Sequence, residues 1–176
     1  MTTPKERRDR LFKKGRPHFR KAELVSGDAY GRDMGLLWAA YKAGSFNAKQ
    51  GLSQDEFAEW ILAHAQLFNE LWIGEDESKA FSGNRGGVSV VGVNYQNLLV
   101  TAEGQVFKWA TKRNILRLCV GFLHMVTHSK KTGVCMVKVN NENQKLADHM
   151  KEYGLLHFVG RTGENEYLYS VRGRGS

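Results

Sequence analysis

Cysteine and long apolar runs are the scarcest features of this 176-residue chain. Its two cysteines, Cys119 and Cys135, belong to no Cys-x-x-Cys pair, which argues against a disulfide framework and a thiolate zinc site. We expect both to be reduced core residues in a cytosolic compartment. No apolar run is long enough to span a bilayer, and the first residues have no hydrophobic signal region. These absences predict a cytosolic protein that is not secreted and has no membrane-spanning segment.

The chain also lacks internal repeats and low-complexity tracts. With 41% apolar and 25% charged residues, it is suited to form one domain with its own core. His124 and His128 are four residues apart on a predicted helix, as a metal-binding pair would be. No third ligand is evident, and the residues between them supply no general-base glutamate. We therefore predict no metal site.

Positive charge is concentrated at the N-terminus. Residues 1–21 hold nine lysines and arginines against two acidic residues, so they carry seven of the eight net positive charges. We predict a basic arm, residues 1–21, before a single domain, residues 22–176. The cations expected to contact DNA or an acidic partner are Arg7, Arg8, Arg10, Lys13, Lys14, Arg16 and Arg20. The alternative is a solubilising tail, although Leu11 and Phe12 could anchor a helical arm to another surface.

The apolar periodicity predicts the element order β-α-α-β-β-β-α-β-α-β-β. Strands are expected at 19–25, 68–74, 88–93, 98–100, 134–139, 156–159 and 166–171, and helices at 28–44, 53–65, 106 or 111 to 128, and 143–153. Ser53 with Glu56 predicts a capping box. We interpret residues 75–77 as an acidic turn and residues 95–97 as a second turn. The glycines of 82–87 are interpreted as a hairpin connection, because a strand follows where a phosphate loop needs a helix.

The C-terminal third contains a motif of known type. Asn143 opens the predicted last helix, and Gly154 ends it eleven residues later, followed by the large apolar Leu155. This spacing resembles the GNAT (N-acetyltransferase) fold, in which an Asn precedes the last long helix and Gly-Phe ends it before a final hairpin. The element order resembles that fold too. The resemblance implies an α/β fold whose mixed central sheet has helices on both faces.

The residues that bind acetyl-CoA in active members of that family are poorly matched. Those members end the strand before the central helix in Arg/Gln-x-x-Gly-x-Gly/Ala, so that the pyrophosphate can reach backbone N–H groups. Here Gly104 is the only glycine in residues 102–115. The resemblance leaves Gly104, Lys112, Arg113 and Asn143 as cofactor candidates, and Lys108 and Arg117 as further cations. We expect no cofactor, or acetyl-CoA if the protein is an enzyme.

The catalytic residues implied by the resemblance are also uncertain matches. Many members place a Tyr seven residues after the motif Asn to protonate the leaving thiolate, and that position is Met150. Tyr153 is the nearest tyrosine, although it is also typical of a core residue. Glu103 is the nearest candidate for a base, with an exposed turn carboxylate as the alternative.

A narrower resemblance involves residues 98–109, whose sequence is LLVTAEGQVFKW. It is similar to a stretch of the GNAT-like internal virion proteins of short-tailed phages. This implies a non-catalytic, virion-associated protein of head assembly or genome delivery. Its partners would be virion proteins or DNA, and it would reside in the virion or the host cytoplasm. We rank this function first, an acetyl-CoA-dependent N-acetyltransferase second, and a nucleic-acid-binding module that uses the arm third.

Overall fold

A single seven-stranded sheet organises the protein. The computed structural model describes residues 1–24, 31–46, 48–76, 87–96, 99–106, 111–127, 134–140 and 143–171. The strand order is β1-β2-β3-β4-β5-β7-β6, with only β4 and β5 parallel among these neighbours. The strands are β1 His18–Lys21, β2 Glu70–Asp76, β3 Gly87–Gln96, β4 Leu99–Val106, β5 Val134–Asn140, β6 Leu156–Gly163 and β7 Glu166–Val171.

Helices cover both faces of this sheet, and each face has its own core. The helices are α1 Pro4–Leu11, α2 Arg32–Lys42, α3 Gln54–Ala65, α4 Lys112–Thr127 and α5 Gln144–Met150, which continues as the 3-10 helix Lys151–Tyr153. The core under α4 and α5 contains residues such as Val93, Val120 and Tyr169. The core under α2 and α3 contains Leu37, Phe57 and Ile73. The predicted α/β class with helices on both faces is confirmed.

Local signals place the helix ends where the sequence predicts them. The Ser53 hydroxyl accepts a hydrogen bond from the Glu56 amide at 3.2 Å, which caps α3. Gly154 follows the 3-10 helix with φ of 71°, a left-handed conformation that suits glycine. Leu155, next in the chain, is buried in the core under α4 and α5. None of the helices in the described residues is long and apolar enough to cross a membrane.

The acidic turn predicted at residues 75–77 is wrong for its first two residues. Glu75 and Asp76 are the last residues of β2, opposite Val88 and Gly87 of β3. Asp76 is buried and forms an ion pair with Arg117 of α4 inside the protein. Residue 77 lies outside the described part of the chain.

The boundaries around β4 also differ from the sequence prediction. β4 extends to Val106, well beyond the predicted strand 98–100, and α4 begins at Lys112. Of the two predicted helix starts, residue 106 is therefore wrong and residue 111 is close. β3 continues through residues 95 and 96, where a turn was predicted. The glycine connection at 82–86, residue 97, Lys108, Trp109 and His128 lie outside the described residues.

Cys119 is a free thiol on α4, packed against the core under α4 and α5. Burial raises the pKa of the Cys119 thiol to about 12, because the thiolate would lose its hydration. The thiol therefore stays protonated at neutral pH and is a packing group rather than a nucleophile. The Cys135 side chain lies outside the described part of the structure.

The basic N-terminal segment folds onto the sheet. Thr3 caps α1 in a reciprocal arrangement with Glu6, and Pro4 occupies the first turn. Hydrogen bonds from the Thr3 amide and hydroxyl lower the pKa of the Glu6 carboxyl. Leu11 and Phe12 are buried in the core under α4 and α5, so the surface they anchor to belongs to the same chain. After them, β1 forms the edge of the sheet.

Candidate functional site

The parallel strands β4 and β5 pair at one end and separate at the other. Their register runs from Leu99 opposite Val134 to Ala102 opposite Val137. β4 then continues to Val106 and β5 to Asn140, yet the register between the two strands stops at Ala102 within these described segments. Beyond that point, the backbone N–H and C=O groups on the facing edges of β4 and β5 do not pair with each other. We call this gap the split; it is bordered by Glu103–Val106 and Lys138–Asn140.

Each side of the split is held by the strand behind it. On one side, Glu103 pairs with Gly92 of β3 and Val106 with Ser89. On the other, Lys138 pairs with Leu168 of β7 and Asn140 with Glu166. Because both strands are paired along their outer edges, the split is part of the sheet topology and not a frayed end. Its edges are fixed and can accept an extended ligand as a further strand.

β4 ends at Val106, at the open end of the split, and α4 is the next helix in the chain, beginning at Lys112. Thr111 caps the helix, since its hydroxyl accepts from the Asn114 amide at 3.2 Å and donates to the Asn114 Oδ1 at 2.7 Å. Lys112 and Arg113 follow in the first turn, where both side chains are exposed. No acidic residue is present in that turn. The N-terminus of α4, where the helix dipole already favours anions, therefore also has the positive charges of Lys112 and Arg113.

A buried ion pair fixes α4 to the sheet. Asp76 and Arg117 are each 1% exposed, and the Arg117 Nε lies 2.9 Å from the Asp76 Oδ2. Asn114 donates to the same oxygen at 2.9 Å. Arg117 also donates to the backbone carbonyls of Leu11 and Gly15. The guanidinium is thus bonded to groups inside the protein and does not face solvent, contrary to the prediction of a phosphate-attracting side chain.

This pair was not found from the sequence, although a signal for it exists. Asn114 and Arg117 lie three residues apart on the inward side of a helix whose other buried residues are apolar. A polar series on a core-facing stripe requires a polar partner. That partner is Asp76 at the end of β2.

The sequence-predicted site residues lie in two separate places. Glu103 and Gly104 are on β4 along the split, opposite Gly92 and Val91 of β3. Asn143 is exposed at the N-cap position of α5, three residues after β5 ends. Lys112 and Arg113 start α4. These five residues therefore lie either on the split itself or at the start of a helix that follows one of its two strands.

Tyr153 lies at the other end of α5. It is half-buried in the 3-10 helix, about 15 Å along the helix axis from Asn143 at the usual rise per residue. Its carbonyl accepts a hydrogen bond from Arg8 of α1, and its ring packs edge-on against His149. Met150, the position where the family pattern expects a tyrosine, is buried in the core. The structure does not bring Glu103 and Tyr153 together.

The predicted partner-binding cations fall into two groups. Arg7 lies 3.3 Å from the Glu152 carboxylate, Arg8 bonds to the Tyr153 carbonyl, and Arg20 binds Asp33 through two hydrogen bonds of 2.6 and 2.8 Å. These three arginines contact other parts of the domain. The remaining four are exposed: Arg10, Lys13, Lys14 and Arg16.

A cavity of about 510 Å³ lies elsewhere, at the start of α2. Its lining is Arg20, Lys21, Glu23, Gly31, Arg32, Asp33 and Met34. Through the paired strands, Arg20 and Lys21 of the cavity are level with Gln105 and Gly104 of β4, but β2 and β3 lie between β1 and that strand. The cavity is therefore separate from the split. Among the described residues, no cluster of three histidine, cysteine or acidic side chains could hold a metal ion.

Comparison with known proteins gives likenesses of structure only. No family model matches the sequence, and no curated protein matches it. The ribosomal L7/L12 α-N-protein acetyltransferase RimL, solved in complex with coenzyme A, superposes with a TM-score of 0.60 at 10% identity, covering 92% of this chain and 96% of that one.

Two other solved structures give similar values. A chimera of the spermidine N-acetyltransferase SpeG from Vibrio cholerae and hSSAT has a TM-score of 0.58 at 17% identity, covering 89% of this chain and 95% of the other. The aminoglycoside acetyltransferase AAC(6')-Ib with coenzyme A has 0.59 at 9%, covering 90% and 95%. At these identities the likeness is one of fold. The chain therefore has the GNAT-like α/β fold.

Proposed function

We propose that this protein is an acetyl-CoA-dependent N-acetyltransferase that acts on an amine. The observation that carries the proposal is the split between β4 and β5, whose two edges are held by β3 and β7. RimL and AAC(6')-Ib, which share the fold, are solved with coenzyme A. The acceptors in the names of the similar structures are a protein N-terminus, a polyamine and an aminoglycoside, all of which present amines.

The residues at the split suit the parts of the proposed substrate. The pantetheine portion of acetyl-CoA contains two amides, which can pair with the free backbone edge of Glu103–Val106 as an added strand would. Lys112 and Arg113 supply positive charge for phosphates where the family motif supplies a glycine loop. Phosphate binding would thus rest on side-chain charge more than on backbone N–H groups.

The reaction places limited demands on side chains. The amine nitrogen forms a bond to the acetyl carbon while the carbon–sulfur bond breaks. The attacking nitrogen loses a proton, and Glu103, on β4 beside the split, is the candidate base. A thiol has an ordinary pKa of about 8.5, so coenzyme A can depart as a thiolate near neutral pH without a tyrosine acid. The distant position of Tyr153 is therefore compatible with transfer.

The proposal replaces the non-catalytic virion role that the sequence placed first. The segment that carried that resemblance, residues 98–109, is divided here between β4 and residues outside the described part of the chain. No observation in the fold favours a virion component over an enzyme, and the structures named above are acetyltransferases. The virion role and the nucleic-acid-binding role stay predictions.

The test combines binding and turnover. Calorimetric titration with acetyl-CoA is expected to give saturable binding in the micromolar range. Thiol release is then followed with spermidine, an aminoglycoside and a peptide with a free N-terminus, and at least one amine should accelerate it. Absence of acetyl-CoA binding at millimolar concentration would overturn the proposal.

A matched pair of variants assigns the base. Glu103→Gln should lower kcat about a hundredfold or more, with acetyl-CoA affinity retained. Glu152→Gln, which removes an exposed carboxylate at the far end of α5, should leave kcat unchanged. Equal rates for the two variants would exclude Glu103 as the base.

A further inference from the structure

Three exposed cations just after α1 form no ion pair within the described structure. Lys13, Lys14 and Arg16 are exposed, and none has an ion pair with an acidic residue in the described ranges. The guanidinium of Arg16 lies 5.3 Å from the centroid of the Phe12 ring. By contrast, Arg7 and Arg20 are paired with carboxylates. The three cations are therefore available to a partner.

The backbone that carries these cations is fixed in place. Arg117 of α4, which is fully buried, donates hydrogen bonds to the carbonyls of Leu11 and Gly15, so both ends of the turn are tied to one guanidinium. Phe12 between them is buried, and its ring lies 5.6 Å from the same guanidinium. We call residues 12–16 the basic turn. It is an ordered part of the domain surface.

Arg117 ties the basic turn to α4, the helix that begins with Lys112 and Arg113. Arg117 lies one helical turn after Arg113, and Asn114 between them shares the Asp76 carboxylate with Arg117. The tether thus places Lys13, Lys14 and Arg16 in the region where Lys112 and Arg113 are exposed. The first turns of α1, α2 and α3 all contain acidic residues, whereas those of α4 and α5 contain none.

Five cations collected on one surface repel one another unless an anion offsets their charge. Lysine and arginine side chains form their strongest hydrogen bonds to phosphate and carboxylate oxygens. We propose that the basic turn acts with Lys112 and Arg113 to bind the phosphates of a coenzyme A thioester, and so replaces the glycine loop that the sequence lacks. This inference rests on the proposed function and assigns its phosphate-binding residues.

The test compares coenzyme A with dephospho-coenzyme A, which lacks the 3′-phosphate. Both ligands are titrated calorimetrically into the wild-type protein and into the double variant Lys13→Ala/Lys14→Ala. The variant should bind coenzyme A about tenfold more weakly, equivalent to one or two lost charge-assisted contacts. Dephospho-coenzyme A keeps the pyrophosphate that the missing glycine loop would bind, so its affinity should fall by a similar factor. A loss confined to coenzyme A would show that the basic turn contacts the 3′-phosphate and would overturn the replacement of the glycine loop.

Two control proteins separate charge from folding. Lys42→Ala/Lys49→Ala removes two exposed lysines from α2 and the residues after it, on the opposite face of the sheet, and should bind both ligands normally. Lys13→Arg/Lys14→Arg retains the charge and should restore binding. If the alanine variant binds like the Lys42/Lys49 control, the basic turn has no part in phosphate binding.

The possible failures are distinguishable. If the wild-type protein binds neither ligand, the proposed function fails and this inference fails with it. If it binds coenzyme A and the alanine variant binds equally well, only the basic turn is excluded. If the alanine variant instead loses salt-sensitive binding to a double-stranded DNA oligonucleotide while its coenzyme A affinity is unchanged, the partner is nucleic acid and the inference is overturned.

Discussion

At the scale of single residues, one buried arginine connects three parts of the chain that are distant in sequence. Arg117 bonds to Asp76 at the end of β2 and to the carbonyls of Leu11 and Gly15 after α1. Removing a charge from water is costly, so such a residue is stable only while its partners are present. The geometry of the α4 start and of the basic turn therefore depends on Asp76.

Asp76→Asn tests this dependence. The substitution keeps the shape of the side chain but leaves the Arg117 charge without its counter-ion, so we expect a loss of about 3–5 kcal/mol in the free energy of unfolding. Urea denaturation measures it. Glu152→Gln breaks the exposed pair with Arg7, whose side chains are 41% and 49% exposed, and should cost less than about 1 kcal/mol. Similar losses for both variants would show that the buried pair is not a structural hub.

The buried carboxylate of Asp33 should make the free energy of unfolding depend on pH. Burial disfavours its charged form, but hydrogen bonds from Arg20 and from the Glu23 amide outweigh this effect and lower the pKa of the carboxyl below its ordinary 3.8. A lowered folded-state pKa contributes stability above the ordinary value and loses it as pH falls through the folded value. The difference in unfolding free energy between wild type and Asp33→Asn should therefore be largest at neutral pH. It should shrink on acidification below 3.8, and a difference independent of pH would contradict this account.

At the scale of elements, the docking of α1 onto the end of α5 is the feature that charge alone could not predict. A Cβ added at Gly154, where φ is 71°, would lie 2.9 Å from the Pro4 Cβ. Arg7 and Arg8 contact the same 3-10 helix through Glu152 and the Tyr153 carbonyl. Close approach and backbone conformation both favour glycine at position 154.

Gly154→Ala should destabilise the protein by about 1–2 kcal/mol, because it introduces a left-handed non-glycine residue and displaces α1. Thermal unfolding measures the loss, and limited proteolysis should show faster cleavage within residues 1–16. Gly160→Ala is the matched control, since a Cβ there has nothing within 4 Å. Indistinguishable melting temperatures for the two variants would mean that α1 does not rely on this contact.

Periodicity and capping predicted the elements well where local signals determine them. Ser53 and Gly154 end or begin helices as expected, because caps and left-handed residues are encoded within a few positions. Prediction failed at Asp76 and beyond residue 100, where the structure depends on distant partners. Asp76 belongs to a strand because Arg117 neutralises it, and β4 continues to Val106 because β3 pairs with it.

At the scale of the whole molecule, charge and packing describe different properties of residues 1–21. The excess of cations in residues 1–21 suggested an arm, yet this segment contributes α1, β1 and two buried side chains. Charge describes the surface that a segment presents, whereas burial of Leu11 and Phe12 decides where it packs. The candidate site likewise emerges from topology, since the split lies where the pairing of β4 with β5 ends while both strands continue.

Amide hydrogen exchange can test the split in the intact protein. Without ligand, peptides covering Glu103–Val106 should exchange faster than those covering Leu99–Ala102, because only the latter are paired with both neighbouring strands. Acetyl-CoA should slow exchange in Glu103–Val106 and leave Leu99–Ala102 unchanged, since an extended ligand pairs only with the free edge. Protection confined to α2 and α3 would place the ligand on the other face of the sheet, at the cavity lined by Arg20 and Arg32, and would remove the split from the mechanism.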